Sequence, residues 1–329
     1  MSSILPLVSV SDLASLRLVS RAACQAASDP QLYRTVVLQA PVLTDEPNPR
    51  GGAAADALHS LHVQWYQDRL NLMPTHVSAA VRRVRFASVW SGAFVSPALI
   101  EQLVAACPNL TSLNLAGVAL GFHQGHLEAC PAATLRELNI SRCVGGGVDD
   151  DHLDALGGFS QLECLSVGCS RAARLLPIEG LSSLRRLSLW GSYDLDVGAL
   201  VFRLADSPCA PVLEALNVYR CQVVRPAADA PQWWTGLALL PALCELGCAI
   251  PGDTTDGPEE VADAFVRGGA GGIKTLMVKF KQAKPSFVAA MLPALTSVTR
   301  LHLGDGKLPS NVASLLPEGL EAVHVRRCL

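Results

Sequence analysis

Aromatic residues, charge and long apolar runs are all scarce in this chain of 329 residues. Aromatic residues make up 5% of the sequence and charged residues 17%, and the formal net charge is −3. A nucleic-acid-binding domain is usually strongly basic, so this charge argues against a nucleic-acid partner. No apolar run approaches the roughly 20 residues that a membrane-spanning helix needs, so we expect no membrane partner.

The N-terminus lacks the features of a secretory signal, because it has no basic start and no small-residue cleavage site. The chain has eleven cysteines, and three of them, Cys143, Cys221 and Cys328, occupy one position of a repeat. That distribution is typical of core residues in a reducing compartment and not of a disulfide framework. We therefore expect a cytoplasmic protein, with the nucleus and the ciliary axoneme as alternatives.

The motifs of common enzyme classes are also missing. No Gly-Lys-Ser/Thr follows the glycine-rich stretches, and neither Gly-x-Ser-x-Gly nor His-Glu-x-x-His occurs. His123, His126 and Cys130 have donor atoms that bind zinc, but no second ligand pair follows at a recognised spacing. The three acids 149–151 suit the start of a helix, whose dipole favours negative charge. We expect no enzyme activity, no cofactor and no metal.

What the sequence does contain is a leucine-based pattern that recurs ten times. Its clearest copy, L-R-E-L-N-I-S-R-C, has apolar residues at Leu135, Leu138 and Ile140 and ends at Cys143. The copies begin at positions 81, 110, 135, 162, 184, 213, 243, 273, 298 and 320. The mean step is about 27 residues, within the period of leucine-rich repeats, whose signature is L-x-x-L-x-L-x-x-N/C.

Each copy has the pattern of a short strand with one buried face. The last two apolar residues alternate with polar ones, as Leu138, Asn139 and Ile140 do. One repeat cannot bury that face alone, so neighbouring repeats must stack around a shared core. We predict helices between the strands, at 97–106, 149–156, 198–205, 259–266 and 286–292. The predicted fold is an α/β leucine-rich-repeat solenoid with a curved parallel sheet inside and helices outside.

The segment from about residue 7 to residue 38 resembles a known family. The stretch S-V-S-D-L-A-S-L-R-L-V-S-R, then seven residues and D-P-Q-L-Y-R-T-V-V-L, resembles the second half of an F-box running into a first repeat strand. The chain is thus similar to F-box proteins with cysteine-containing leucine-rich repeats. The resemblance implies that a helix starting near Asp12 docks a Skp-type adaptor of an SCF-type ubiquitin ligase. The adaptor-binding residues it implies are Leu13, Leu16, Val19 and Arg21.

These observations predict three segments: a partial F-box-like cap at 1–38, a linker with degenerate first repeats at 39–80, and about ten repeats at 81–329. Only about ten residues precede Asp12, too few for the first F-box helix. We therefore expect a truncated start or a degenerate F-box. The end at Leu329 has no polar capping repeat, and an uncapped apolar end is poorly soluble. We expect missing sequence or a covering partner there.

The residues before, between and just after the two strand apolars should form the concave face, and equivalent positions should align across strands about 4.8 Å apart. Trp, Tyr and Arg are enriched in binding hot spots. The partner-binding residues predicted on this face are Asn139, Arg142, Arg186, Trp190, Asn217, Tyr219 and Arg220. Replacing Trp190 and Tyr219 together by alanine should leave folding intact and abolish partner capture.

Two functions follow from these features. The first is a non-catalytic protein-recognition module that serves as the substrate-recognition subunit of an SCF-type ubiquitin ligase, with a Skp-type adaptor and an unknown substrate protein as partners. The alternative is a leucine-rich-repeat scaffold without a ligase role, for example in the cytoskeleton or the ciliary axoneme. Adaptor and cullin in a pull-down would separate the first from the second.

Overall fold

The computed structural model describes sixteen stretches of the chain, most of them in the repeat region. They are residues 34–39, 64, 66–68, 70–71, 73, 78–87, 95–117, 124–141, 153–168, 177–192, 195–221, 232–251, 257–269, 271–281, 283–304 and 308–325. The chain divides into two compact units, residues 1–155 and residues 156–329.

The first unit contains four parallel strands that are neighbours in the order of the chain. They are β1 (Thr35–Gln39), β2 (Arg83–Ala87), β3 (Ser112–Asn114) and β4 (Glu137–Asn139). Helix α1 (Pro97–Ala106) lies between β2 and β3 in sequence, and α2 (Gln124–Glu128) lies between β3 and β4. Parallel neighbours need such a returning connection, which a hairpin turn cannot supply.

The second unit continues the same scheme with seven parallel strands in chain order. These strands are β5 (Cys164–Ser166), β6 (Arg186–Ser188), β7 (Ala215–Asn217), β8 (Glu245–Pro251), β9 (Thr275–Lys281), β10 (Arg300–Leu303) and β11 (Ala322–Val325). The helices are α3 (Val197–Ala205), α4 (Pro258–Arg267) and α5 (Pro285–Ala294). The 3-10 helices of the described chain are Asp154–Gly158, Ile178–Gly180, Trp233–Leu239 and Val312–Leu315.

The apolar positions of the repeat form the core on one face of the strands. Leu113 and Leu138 are 1% and 2% exposed, while the residues on either side of each are partly exposed. The first apolar residue of each repeat copy is buried as well, as Leu110 and Leu135 show. Burial of a leucine side chain stabilises the fold by roughly 1.5–3 kcal/mol relative to exposure, and every repeat contributes several.

Capping residues in the sequence explain where two of the helices begin. The Ser96 hydroxyl accepts a hydrogen bond from the Leu99 amide before α1, and Asp196 accepts one from the Ala199 amide before α3. Such side chains satisfy amides that have no partner within the first turn of a helix. Pro97 at the start of α1 adds a backbone angle that suits a helix.

The fold prediction is confirmed. A strand follows each of the ten repeat starts, and helices occupy four of the five predicted segments within a residue or two. The prediction at 149–156 is described only from residue 153 onward, where a 3-10 helix forms instead. Gly157 lies in this 3-10 helix. A Cβ atom added to Gly180 would come within 2.2 Å of the Gly157 carbonyl oxygen, so the backbones at Gly157 and Gly180 pack closely against each other.

Several expectations fall on residues outside the described stretches. The F-box-like helix, the adaptor-binding residues Leu13, Leu16, Val19 and Arg21, and most of the 39–80 linker are among them. The predicted segment boundaries at 38 and 80 therefore stay predictions. Strand β1 does pair with β2, so the chain around Val37 belongs to the sheet. In the part of the chain that the structure describes, no helix combines the length and apolarity needed to cross a membrane.

Candidate functional site

The strands present a polar surface on the side opposite the core, and we call this surface the open face. Its members are the residues that alternate with the buried apolar residues of each strand. In the first unit they are Thr35, Val37, Arg83, Arg85, Ser112, Asn114, Glu137 and Asn139. In the second unit the central positions are Ser166, Ser188, Asn217, Gly247, Met277, His302 and His324.

Three asparagines of the open face each stabilise the turn that follows their own strand. The Asn139 side-chain oxygen accepts hydrogen bonds from the Ser141 amide at 3.0 Å and from the Ser141 hydroxyl at 2.5 Å. Asn114 and Asn217 accept from the amides two residues further on, at 2.9 and 3.0 Å. This is the Asx-turn geometry expected of Asn. Asn139 and Asn217 therefore have a local structural role in addition to their predicted place on the binding face.

The turn itself requires a left-handed backbone at one repeat position. Gly117, Gly191 and Arg220 stand there with φ of 75°, 72° and 62°. Arg220 is the only described residue other than glycine with a positive φ. The amide of Gly191 donates to the Tyr219 carbonyl at 3.0 Å, which continues the hydrogen-bond ladder past the strand. Arg220 is exposed, and its guanidinium carbon lies 5.9 Å from the centre of the Tyr219 ring.

The two aromatic residues predicted to present neighbouring rings differ in their exposure. Trp190 is partly exposed after β6, whereas Tyr219 is only 2% exposed after β7. A side chain built on Gly304 would come within 1.7 Å of the Tyr219 hydroxyl, so the phenol occupies the space that this glycine leaves open. The expectation that Tyr219 presents its ring to a partner does not fit this burial. The role of Trp190 as a contact residue stays a prediction.

The predicted arginines have different surroundings. Arg186 is exposed on β6, and the adjacent Arg185 forms an ion pair with Glu214 at 2.6 Å. Arg142 lies outside the described residues. In the first unit Arg83 pairs with Glu137 at 3.3 Å. Exposed pairs of this kind contribute about 0–1 kcal/mol, so they leave the arginines available for other anions.

The cysteine at the end of the repeat is described at one of its three positions. Cys221 is 6% exposed, and its thiol donates to the Leu189 carbonyl at 3.0 Å, as expected of a small core residue with a weak donor. Cys107 and Cys130 are buried, and burial raises the pKa of the Cys107 thiol to about 11 and that of Cys130 to about 12. A thiol needs a lowered pKa to act as a nucleophile, so neither suits that role.

The residues considered for zinc take part in packing where the structure describes them. The His126 ring nitrogen Nε2 lies 2.8 Å from the Val95 carbonyl oxygen, and the Cys130 thiol donates to the His126 carbonyl. His123 and the acids 149–151 are outside the described residues. Among the described residues, no three His, Cys, Asp or Glu side chains form a group that could hold a metal ion.

Two features of the open face were not predicted from the sequence. The rings of His302 and His324 stack with centroids 4.6 Å apart, because their positions on β10 and β11 are in register. Arg85 lies beside Val37, which is 55% exposed, and Arg83 lies beside Thr35 on the same pair of strands. The alternation R-V-R in the sequence predicts that both arginines lie on one face of the strand. The proximity of Arg85 to Val37 depends on a strand pairing between residues 48 positions apart, which the sequence does not reveal.

The comparisons with known proteins leave the family open. A scan against protein-family models finds no match, and a search of curated proteins finds none. Among solved structures the chain is similar to internalin C2 of Listeria monocytogenes, with 16% sequence identity and a TM-score of 0.40. The match covers 80% of this chain and 92% of the internalin. The fold assignment rests instead on the repeats and strands of this chain.

Proposed function

We propose that this chain is a non-catalytic protein-recognition module that binds partners on its open face. The observation that carries this proposal is the regular array of outward polar side chains on parallel strands whose other face is buried. Side chains on such a rigid scaffold are held in fixed positions, which lowers the entropy cost of binding. Trp190, Arg186 and Arg220 add residue types that are enriched in hot spots.

A proximity-labelling experiment with Trp190→Ala tests the recognition role. We expect loss of the main labelled partner together with an unchanged melting temperature, because Trp190 is partly exposed and a Trp contact contributes about 2 kcal/mol or more to binding. The matched control is Leu239→Ala, which removes an apolar side chain that is 55% exposed on a 3-10 helix away from the open face. Equal partner profiles for the two variants would contradict the proposal.

We further propose a role as the substrate-recognition subunit of an SCF-type ubiquitin ligase. The support is the resemblance of residues 7–38, approximately, to the second half of an F-box, followed directly by repeats. In this role Leu13, Leu16, Val19 and Arg21 contact a Skp-type adaptor, and the open face contacts the substrate. The expected location is the cytoplasm, and imaging of the tagged protein tests it.

A pull-down of the tagged chain from its own cells, scored for Skp-type adaptor and cullin, tests the ligase role. Leu16→Glu should abolish adaptor capture, because a charge in an apolar contact is strongly unfavourable. Trp190→Ala should leave adaptor capture unchanged. Absence of adaptor and cullin from the wild-type pull-down would exclude the ligase role, and would favour a scaffold of the cytoskeleton or the axoneme.

A further inference from the structure

The open face of the first unit carries an excess of positive charge around strand β2. Arg83 and Arg85 both lie on this face, because the residue between them, Val84, is 2% exposed and belongs to the core. Register places Arg85 beside Val37 of β1 on one side and beside Asn114 of β3 on the other. Both arginines are exposed. The two guanidiniums therefore leave the same strand two residues apart and point to the same side.

The charge on this surface is only partly neutralised. Arg83 lies 3.3 Å from Glu137, with side chains that are 59% and 42% exposed, so water screens this pair and another carboxylate can replace it. Glu137 is the only acidic residue among the open-face positions of the four strands that the structure describes in this unit. No described acidic side chain pairs with Arg85.

The neighbouring asparagines add further hydrogen-bond donors to the same surface. A backbone amide can only donate, so the atoms of Asn114 and Asn139 that receive the turn hydrogen bonds must be the side-chain oxygens. The Asn139 oxygen accepts two hydrogen bonds and the Asn114 oxygen one, so what the two side chains chiefly offer a partner is their NH2 groups, which only donate. Next to Arg83 and Arg85, the surface is thus rich in donors and poor in acceptors.

An apolar element completes the surface. Val37 is 55% exposed at the centre of β1, in register with Arg85. The residues before and after it, Val36 and Leu38, are 2% and 5% exposed and form the core. An exposed valine among donors provides contact area for an aliphatic side chain but no partner for a polar group.

We propose that this surface, formed by Val37, Arg83, Arg85, Asn114 and Asn139, binds an extended acidic segment of a partner protein that carries an aliphatic residue on the same side as its carboxylates. Carboxylates two residues apart on an extended segment have the spacing of the two arginines. The planar guanidinium of arginine can donate two parallel N–H hydrogen bonds to one carboxylate, and this geometry makes the contact specific for carboxylates. This inference rests on the proposed protein-recognition role and names the chemistry of the partner for the first unit.

A nucleic acid fits this surface less well. A nucleic-acid site usually extends as a basic stripe over several phosphates, whereas here two arginines lie beside an exposed valine and the whole chain has a net charge of −3. The test below includes an oligonucleotide so that the two ligand classes are separated.

The test measures binding of a short peptide to the full chain by fluorescence anisotropy at about 50 mM salt, where charge interactions are weakly screened. The probe is the capped, labelled peptide Gly-Asp-Ser-Asp-Ser-Val-Gly, whose two Asp residues and Val face the same side of an extended chain, and its twin has Asn in place of both Asp residues. We expect the Asp peptide to bind at least about tenfold more tightly than the twin, which corresponds to about 1.4 kcal/mol. Arg85→Gln should remove most of this preference, and Val37→Ser should weaken binding of both peptides.

The matched control is Arg267→Gln, which removes an exposed arginine of α4 that pairs with Asp263. Its binding should equal that of the wild type, and all variants should keep the wild-type melting temperature because the replaced side chains are exposed. Equal affinity for the two peptides, no binding of either at millimolar concentration, or an unchanged preference in Arg85→Gln would overturn the assignment. Tighter binding of a short oligothymidylate that depends on Arg85 would overturn it in favour of a nucleic acid. These results do not depend on cellular partner capture, so the inference can fail while the recognition role stands.

Discussion

At the scale of single residues, the repeat position after each strand turn is conformationally demanding. Gly117 and Gly191 meet the left-handed requirement at no steric cost, whereas Arg220 adopts the same conformation with a side chain. A left-handed conformation costs a residue with a side chain roughly 1–2 kcal/mol. The turn is therefore maintained at Arg220 by the surrounding hydrogen bonds and packing, among them the position of its guanidinium over the Tyr219 ring.

Replacing Gly191 by alanine should expose this requirement. We expect Gly191→Ala to lower the free energy of unfolding by about 1 kcal/mol, because φ is 72° at this position. The control is Gly158→Ala, where a new side chain would meet nothing within 4 Å. Urea denaturation of both variants measures the difference, and equal stabilities would contradict the explanation.

The close contact between Tyr219 and Gly304 allows a second prediction at the scale of single residues. Gly304→Ala should destabilise the fold by roughly 1–3 kcal/mol, because the added methyl group must displace the Tyr219 phenol. Tyr219→Ala should cost about 3 kcal/mol through loss of a buried aromatic ring. Thermal melting of the single variants and of Trp190→Ala distinguishes them, since the last should melt like the wild type. The double variant of Trp190 and Tyr219 should therefore lose stability, unlike the expectation from the sequence alone.

At the scale of elements, the helices that return the chain depend on their first turn. The Asp196 carboxylate accepts from the Ala199 amide at 2.9 Å and so caps α3, whose apolar residues Val197, Leu200, Val201 and Leu204 are buried. The cap fixes where the helix starts, and that start determines which of its residues face the strands.

We expect Asp196→Ala to reduce the free energy of unfolding by about 1 kcal/mol and Asp196→Asn to retain most of it, because asparagine also caps well. Asp206→Ala at the other end of α3 is the control, since an acid there gains nothing from the helix dipole. Chemical denaturation followed by circular dichroism provides the measurement. Equal losses for alanine and asparagine would show that charge, and not the cap hydrogen bond, stabilises this end.

At the scale of the whole molecule, stability should fall in mild acid partly because of the stacked histidines. Burial and, secondarily, the neighbouring His324 lower the pKa of His302 below its ordinary value. Around and below the ordinary histidine pKa of about 6.5, His302 binds a proton more readily in the unfolded chain than in the folded chain. The unfolded state then binds more protons, so acidification favours unfolding, whereas above that range the contribution vanishes.

Melting temperatures at pH 7.5 and pH 5.5 test this linkage. We expect His302→Phe to show a smaller loss of stability on acidification than the wild type, because the titrating group is gone while a ring can still stack on His324. His324→Ala should also reduce the loss, to a smaller extent, since it removes only the second cause of the shift. An unchanged pH dependence in both variants would show that other groups control acid stability.

The sequence by itself determined the repeat, because a strand with one buried face must alternate and stacked repeats must share one core. Ten strand starts and the helices at 97–106, 198–205, 259–266 and 286–292 followed from apolar spacing and capping residues alone. Only the tertiary structure decided which open-face residues are available. Tyr219 is covered because Gly304, 85 positions later in the chain, leaves room for it. Val37 meets Arg85 because β1 pairs with β2. Local periodicity specifies an element and its buried face, whereas exposure depends on neighbours that stacking brings from distant parts of the chain.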